Sequence, residues 1–186
     1  MKVNAKKILR LLLFEECNRN CSGCCNKDWD LKSLPICTSF TVYNMILLTG
    51  GEPMLKPQLI KSVVKSIRKE TVSPIYLYTA KIDSILITMD ILYNYVDGMT
   101  VTLHDQSDVE LFKEFNDILL NTKQGIHLTY GLSIRIAPKS LRLNIFNGID
   151  LSSTNLELWS VKSKIEWIKN CPLPENEVFM RIERSN

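Results

Sequence analysis

Two hydrophobic periods alternate along the first two-thirds of this 186-residue chain, and few folds accept that order. Residues 8–14 (ILRLLLF) form an apolar run broken only by Arg10, as a buried parallel strand requires. Residues 45–49, 75–79 and 99–104 supply three more short strand-like runs. Helical stripes lie between them. In residues 58–70, Leu59, Val63 and Ile67 share a face, with Ile60 and Val64 beside them. Ile85, Met89, Leu92 and Tyr93 give the next stripe. Ser107-Asp108-Val109-Glu110 has the form of a capping box that opens a helix through Leu119, with Leu111, Phe112, Phe115, Ile118 and Leu119 on its apolar face.

This β-α order predicts an α/β fold with a parallel sheet and right-handed crossovers. Roughly four such units are too few for a closed eight-stranded barrel, so the expected architecture is an open partial (β/α) barrel. The chain reads as one domain, residues 1–186, with a core over about 8–136 and a less regular C-terminal extension over about 137–186. In that last part, residues 132–136 and 141–145 alternate like strands, either as a hairpin or as two separate strands. A helix is expected over 161–169 and a final strand over 178–182.

The hydrophobic fraction of 45% and charged fraction of 23% are those of a soluble globular protein. A net charge of +3 with no basic stripe argues against nucleic acid as a partner. The apolar run after Lys6-Lys7 is too short for a membrane span, contains Arg10 and is followed by no small-residue cleavage site. The reading is therefore cytoplasmic, with no membrane partner. In that compartment six cysteines are expected to be reduced, and a cluster of them reads as a metal site before it reads as disulfides.

Cys17, Cys21 and Cys24 form such a cluster, C-x-x-x-C-x-x-C, directly after the first strand. Parallel α/β folds place their active sites at this C-terminal end of the strands. Closed zinc sites and electron-transfer clusters use four protein ligands. Three thiolates leave one iron of a four-iron cluster without a protein ligand. Thr49-Gly50-Gly51-Glu52-Pro53 follows the second strand. Two glycines let main chain approach a ligand closely, and a carboxylate suits an ammonium.

The Cys17-x3-Cys21-x2-Cys24 loop together with Gly50-Gly51-Glu52-Pro53 resembles the radical S-adenosylmethionine superfamily. The resemblance implies a [4Fe-4S] cluster on Cys17, Cys21 and Cys24, with S-adenosyl-L-methionine chelating the unique iron. It implies reductive cleavage of the sulfonium to a 5′-deoxyadenosyl radical, and a reductant such as flavodoxin or ferredoxin. Gly50, Gly51 and Glu52 would hold the methionine amino group. The stretch Cys21-Ser-Gly-Cys-Cys-Asn-Lys-Asp-Trp29 is similar to glycyl-radical-enzyme activating proteins, such as the activator of anaerobic ribonucleotide reductase. Pro57-Gln58 and Val96-Asp97-Gly98 resemble that branch too, and the likeness covers roughly residues 8–105. This chain departs from the family at Gly23, where an aromatic residue is frequent, so adenine packing must rely on other groups. Cys25 stands where those activators carry an aromatic or a histidine.

Strand alternation puts Thr100, Thr102 and His104 on one face and Met99, Val101 and Leu103 on the other. The polar face is either an active-site lumen or a solvated sheet surface. By resemblance, Ser133 would contact the cofactor ribose and Arg135 the methionine carboxylate. Thr79 is a further cofactor-binding candidate. Cys25 cannot easily share the cluster because adjacent side chains point apart, and the isolated Cys37 and Cys171 read as small buried hydrophobes. The chain has no phosphate loop or dinucleotide fingerprint, and its two histidines give a His-rich metal site or a catalytic triad little to draw on.

No catalytic residue is assigned, and three functions remain open. The radical passes to a glycine of a partner glycyl-radical enzyme; or it acts on a small molecule, as in 7-carboxy-7-deazaguanine synthase; or the chain is a non-catalytic zinc- or cluster-binding module.

Overall fold

The computed structural model describes residues 7–21, 23–123, 140–167 and 172–183. Its elements are β1 (Ile8–Leu12), β2 (Met45–Thr49), α1 (Pro57–Glu70), β3 (Ile75–Thr79), α2 (Ile85–Asn94), β4 (Gly98–Leu103), α3 (Asp108–Lys123), β5 (Ser140–Phe146), β6 (Trp159–Ile165) and β7 (Glu177–Arg181). All seven strands join one sheet in the order β6-β5-β4-β3-β2-β1-β7, and every pairing is parallel. The sheet does not close, so the fold is the α/β open partial barrel that the alternation predicts.

Register fixes which side chains share a face. Leu9 pairs with Ile46, Ile46 with Ile75, Leu77 with Met99 and Met99 with Leu141. These residues are buried and pack in one cluster with Ile60, Val64 and Ile67 of α1, Met89 and Leu92 of α2, and Phe112, Phe115 and Leu119 of α3. One sheet face is therefore an apolar floor for the helices. The opposite face carries Arg10, Leu47, Tyr76, Tyr78, Thr100, Thr102, Arg142 and Asn144: register sets Leu47 between Arg10 and Tyr76, Thr100 between Tyr78 and Arg142, and Thr102 beside Asn144. Asn144 Nδ2 donates to Thr102 Oγ1 at 3.4 Å, and the Arg142 guanidinium stands 5.0 Å from the Tyr76 ring centre. Arg10 donates to Glu177 at 2.7 Å from the neighbouring β7.

The first four strands and three helices lie where the sequence puts them, to within two residues at their ends except for α3, which runs to Lys123, four residues past the expected Leu119. Two details of the helices differ. Leu111 is 39% exposed rather than on the core face of α3. The Ser107 hydroxyl donates to Asp105 instead of capping the helix, and the Asp108 carboxylate accepts from the backbone of His104 (2.8 Å).

The C-terminal third departs more. Residues 161–165 lie in strand β6, not in the expected helix. Val161 and Ile165 stand four apart, a spacing that fits either structure over so short a run. Tertiary contacts decide. Trp159 is buried against Phe112 and Phe115 (centroids 5.2 and 6.3 Å), and its indole N–H donates to Asn116 Oδ1 at 2.8 Å. This anchors the segment to α3 in register with β5. Lys162 and Lys164 then stand on β6, the outermost strand at this end among the described residues, where lysines are a usual guard against further strand pairing. Nor is this third an appendage: β5, β6 and β7 supply three of the seven strands. Residues 141–145 form β5, parallel to β4, and the expected strand at 132–136 lies outside the described residues. The chain leaves β6 at one sheet edge and returns as β7 at the other.

Candidate active site

The thiol loop begins where β1 ends, and hydrogen bonds carry the β1–β2 pairing beyond both strands. Leu13 N donates to Thr49 O (2.9 Å), Gly51 N to Phe14 O (2.8 Å) and Glu52 N to Glu16 O (2.9 Å). The last of these lies one residue before Cys17. The approach is so close that a Cβ on Gly51 would fall 2.0 Å from Glu16 O and 2.3 Å from Glu16 C. Only glycine fits there. Gly50 is less constrained, with 3.0 Å to Phe14 O. On the far side of the loop, Asn26 Nδ2 donates to Gly50 O at 2.6 Å. The loop of Cys17, Cys21 and Cys24 is thus pinned at both ends to the Gly50–Glu52 strap.

Glu52 is 3% exposed. Its Oε1 accepts from Met54 N (3.0 Å) and from the Thr79 hydroxyl (2.6 Å), and its Oε2 accepts from Ala80 N (2.9 Å). Burial pushes its carboxyl above the ordinary range, while these hydrogen bonds and the charge of Arg19 pull the other way. Two of the three donors are backbone N–H groups, which call for an acceptor. The carboxylate therefore ties β2 to the end of β3. Thr79, 5% exposed, serves as partner to Glu52. What the strap still offers a ligand is chiefly main chain.

Cys17, Cys21 and Cys24 are all free thiols, exposed at Cys17 and half-buried at the other two. Burial pushes the Cys21 thiol up, as do its neighbours Cys24 and Cys17, while Arg19 and Lys27 pull it down. Lys27 Nζ donates to Cys21 O at 2.7 Å. Among the described residues, no three His, Cys, Asp or Glu side chains close on a point as ligands of one ion do. A cluster makes a different demand, because each thiolate holds its own iron at a separate corner. Three free thiols on a braced loop fit that donor chemistry. Cys25 is disulfide-bonded, which corrects the expectation that all six cysteines are reduced. Cys24 is extended (φ −63°, ψ 118°) and Cys25 opens a short 3-10 turn. Cys37 is half-buried, packs against the core and donates from Sγ to Ser39 O (3.4 Å), as a small core residue should.

Arg19, inside the loop, carries a second brace. Its guanidinium pairs with both oxygens of Asp108 and donates to Ala80 O at 3.1 Å. Asp108 in turn accepts from His104 N. One ion pair thus links the thiol loop to the ends of β3 and β4. Beside it lies a cavity of about 140 Å³, lined by Thr49, Gly51, Glu52, Pro53, Tyr78, Thr79, Ala80, Thr102 and His104. A cavity of about 480 Å³ at the ends of β1 and β7 touches Glu16 and Lys56 but none of the thiols. Burial, and then the charge of Arg19, holds the His104 imidazole below its ordinary pKa, and its Nδ1 is buried without a partner.

The structure brings Cys17, Cys21, Cys24, Gly50, Gly51, Glu52 and Thr79 to one end of the sheet. Ser133 and Arg135 lie outside the described residues, as do Cys171 and His127. Sequence reading missed the bracing roles of Arg19, Asn26 and Asp108. For Asn26 a signal was present, since Asn26-Lys27 belongs to the stretch that resembles the activating branch. Arg19 and Asp108 stand 89 positions apart, and no local pattern couples them.

No family model matches this chain, and no curated protein is significantly similar to it.

Proposed function

We propose that this chain is a radical S-adenosylmethionine enzyme. The observation that carries the reading is the clamp between the two motifs: three free thiols on a loop whose ends hydrogen-bond to Gly51, Glu52 and Gly50. Bound to Cys17, Cys21 and Cys24, a [4Fe-4S] cluster would supply the electron that cleaves S-adenosylmethionine to a 5′-deoxyadenosyl radical. The chain's own part is to orient and to shield. The strap keeps main-chain carbonyls beside the thiol loop, where an ammonium group can be held. Glu52 and Thr79 fix the strap on β3, and the Arg19–Asp108 pair fixes the loop on β4.

Among the described residues no helix is long and apolar enough to cross a membrane. A cytoplasmic location and a flavodoxin- or ferredoxin-type reductant belong to the same proposal. A glycyl-radical partner enzyme follows from the likeness around Asn26-Lys27 and Trp29. A second reading, a small-molecule substrate, is favoured by the polar face: Arg142 and Asn144 of β5 extend it well beyond the thiol loop.

The test is anaerobic reconstitution with iron and sulfide, followed by product analysis under dithionite. The proposal expects about four irons per chain and release of 5′-deoxyadenosine. A colourless protein that retains zinc and leaves S-adenosylmethionine intact would overturn it.

A further inference from the structure

Three aromatic rings converge where the polar sheet face meets the thiol loop, and two of them, Phe146 and Trp167, have no role in the account above. His104 follows β4, Phe146 ends β5 and Trp167 lies just beyond β6. Trp167 and His104 are parallel, 5.4 Å apart between centres with planes 5° apart. Phe146 lies 4.2 Å from Trp167 and 5.1 Å from His104. Despite these neighbours, Trp167 remains 40% exposed. An indole braced by two rings and still open to solvent is a rigid stacking surface.

Its position is set by Gly23. A Cβ built there would lie 2.5 Å from Trp167 Cβ and 2.7 and 2.8 Å from the ring atoms Cε3 and Cδ2. Any side chain at position 23 would displace the indole. The residue before Cys24 is thus reduced to glycine, and an aromatic ring from the other end of the chain fills the space against it.

The neighbouring cavity indicates what the surface is for. At about 140 Å³ it is well below the roughly 300 Å³ at which ligand pockets usually begin. It can take a small polar end of a ligand among Gly51, Thr102 and His104, and the remainder must lie outside. His104 lines that cavity and also stacks on Trp167, so the two are continuous.

We infer that Trp167, backed by His104 and Phe146, is the stacking surface for the planar base of a nucleoside ligand whose polar end enters this cavity. The inference rests on the proposed function, which makes S-adenosylmethionine that ligand. Trp167 thereby takes the place of a ring at position 23.

The experiment reads Trp167 directly. Adenosine and S-adenosylmethionine are titrated into iron-free and reconstituted protein while tryptophan emission is followed, with Trp29→Phe as the spectroscopic control. Quenching is expected in the parent protein and in Trp29→Phe, and is expected to vanish in Trp167→Leu. Affinity by equilibrium dialysis should fall roughly tenfold in Trp167→Leu, within the range set by one base–aromatic stack, and recover to within about threefold in Trp167→Phe. Gly23→Ala, which pushes the indole aside without removing it, should lose affinity as well. Unchanged affinity in Trp167→Leu, or no quenching by either ligand in the parent protein, overturns the inference. Tighter binding in Trp167→Leu also overturns it, because the indole would then be a plug rather than a platform. Iron content is measured on the same samples. Protein that holds its cluster and cleaves S-adenosylmethionine without needing Trp167 retires the shelf and leaves the enzyme reading intact. Protein that binds no iron retires the enzyme reading, and adenosine quenching then judges the shelf alone.

Discussion

Replacing Gly51 by alanine tests whether the strap and the thiol loop form one rigid unit. The added Cβ meets Glu16 O at 2.0 Å, Glu16 C at 2.3 Å and Glu15 O at 2.4 Å. All three are backbone atoms, and no side-chain rotation relieves the clash. The two chain segments must separate, which strains or breaks the bonds from Gly51 N and Glu52 N. Overpacking costs about 1–3 kcal/mol, and each weakened hydrogen bond adds about 1 kcal/mol. A total of about 3–5 kcal/mol should lower Tm by about 6–20 °C in a domain of this size. Gly50→Ala is the internal comparison. Its Cβ would sit 3.0 Å from Phe14 O, a contact that a shift of a few tenths of an ångström relieves. Thermal unfolding of the iron-free protein should therefore rank Gly51→Ala well below Gly50→Ala, which stays near the parent. Equal Tm values for the two variants would refute the close-approach argument.

Three further outcomes follow from the same contacts. Glu52→Gln keeps the shape but turns an amide N–H₂ toward a donor, so unfolding in urea should show a loss of about 1–3 kcal/mol, and a neutral result would contradict the tie between β2 and β3. Asp108→Asn removes the charge partner of Arg19 at a site where Asp108 is only 8% exposed. The expected loss is about 2–3 kcal/mol, short of a fully buried pair because 23% of the Arg19 side chain is exposed. His104 has a depressed pKa in the folded state, so acidification below its ordinary value of 6.5 protonates the unfolded chain first and destabilises the fold. That contribution is complete above about 6.5 and is lost as pH falls toward the folded value; His104→Asn should flatten the stability-against-pH curve between pH 7 and 5, and an unchanged slope would rule it out.

Much of this architecture is legible because local period and burial agree. In β1 to β4 each strand is a short apolar run, and each helix between β2 and β5 has a stripe that matches the sheet face it covers. The same logic fails at β6, where Trp159 and its contacts with α3 override a spacing compatible with helix. It also fails for β7, since nothing in residues 177–181 says that they pair with β1 rather than extend the other edge. At the site, the placement of Cys17, Gly50 and Gly51 at the ends of β1 and β2 is readable, because each motif directly follows an apolar strand run. The hydrogen bonds of Glu52 are not, because two of its three donors, the Thr79 hydroxyl and Ala80 N, stand at the end of β3, 27 and 28 positions away. Trp167 is invisible for the same reason: its meaning depends on a glycine 144 positions away.

The central claim is that Cys17, Cys21 and Cys24 hold a four-iron cluster that keeps one iron free for an exogenous ligand. Mössbauer spectroscopy of anaerobically reconstituted protein addresses it directly. The account predicts one iron site whose parameters shift when S-adenosylmethionine is added, loss of the cluster in Cys17→Ser, Cys21→Ser and Cys24→Ser, and full retention in Cys37→Ser. A spectrum in which no iron responds to S-adenosylmethionine, or a cluster that survives loss of any of these three thiols, would contradict it.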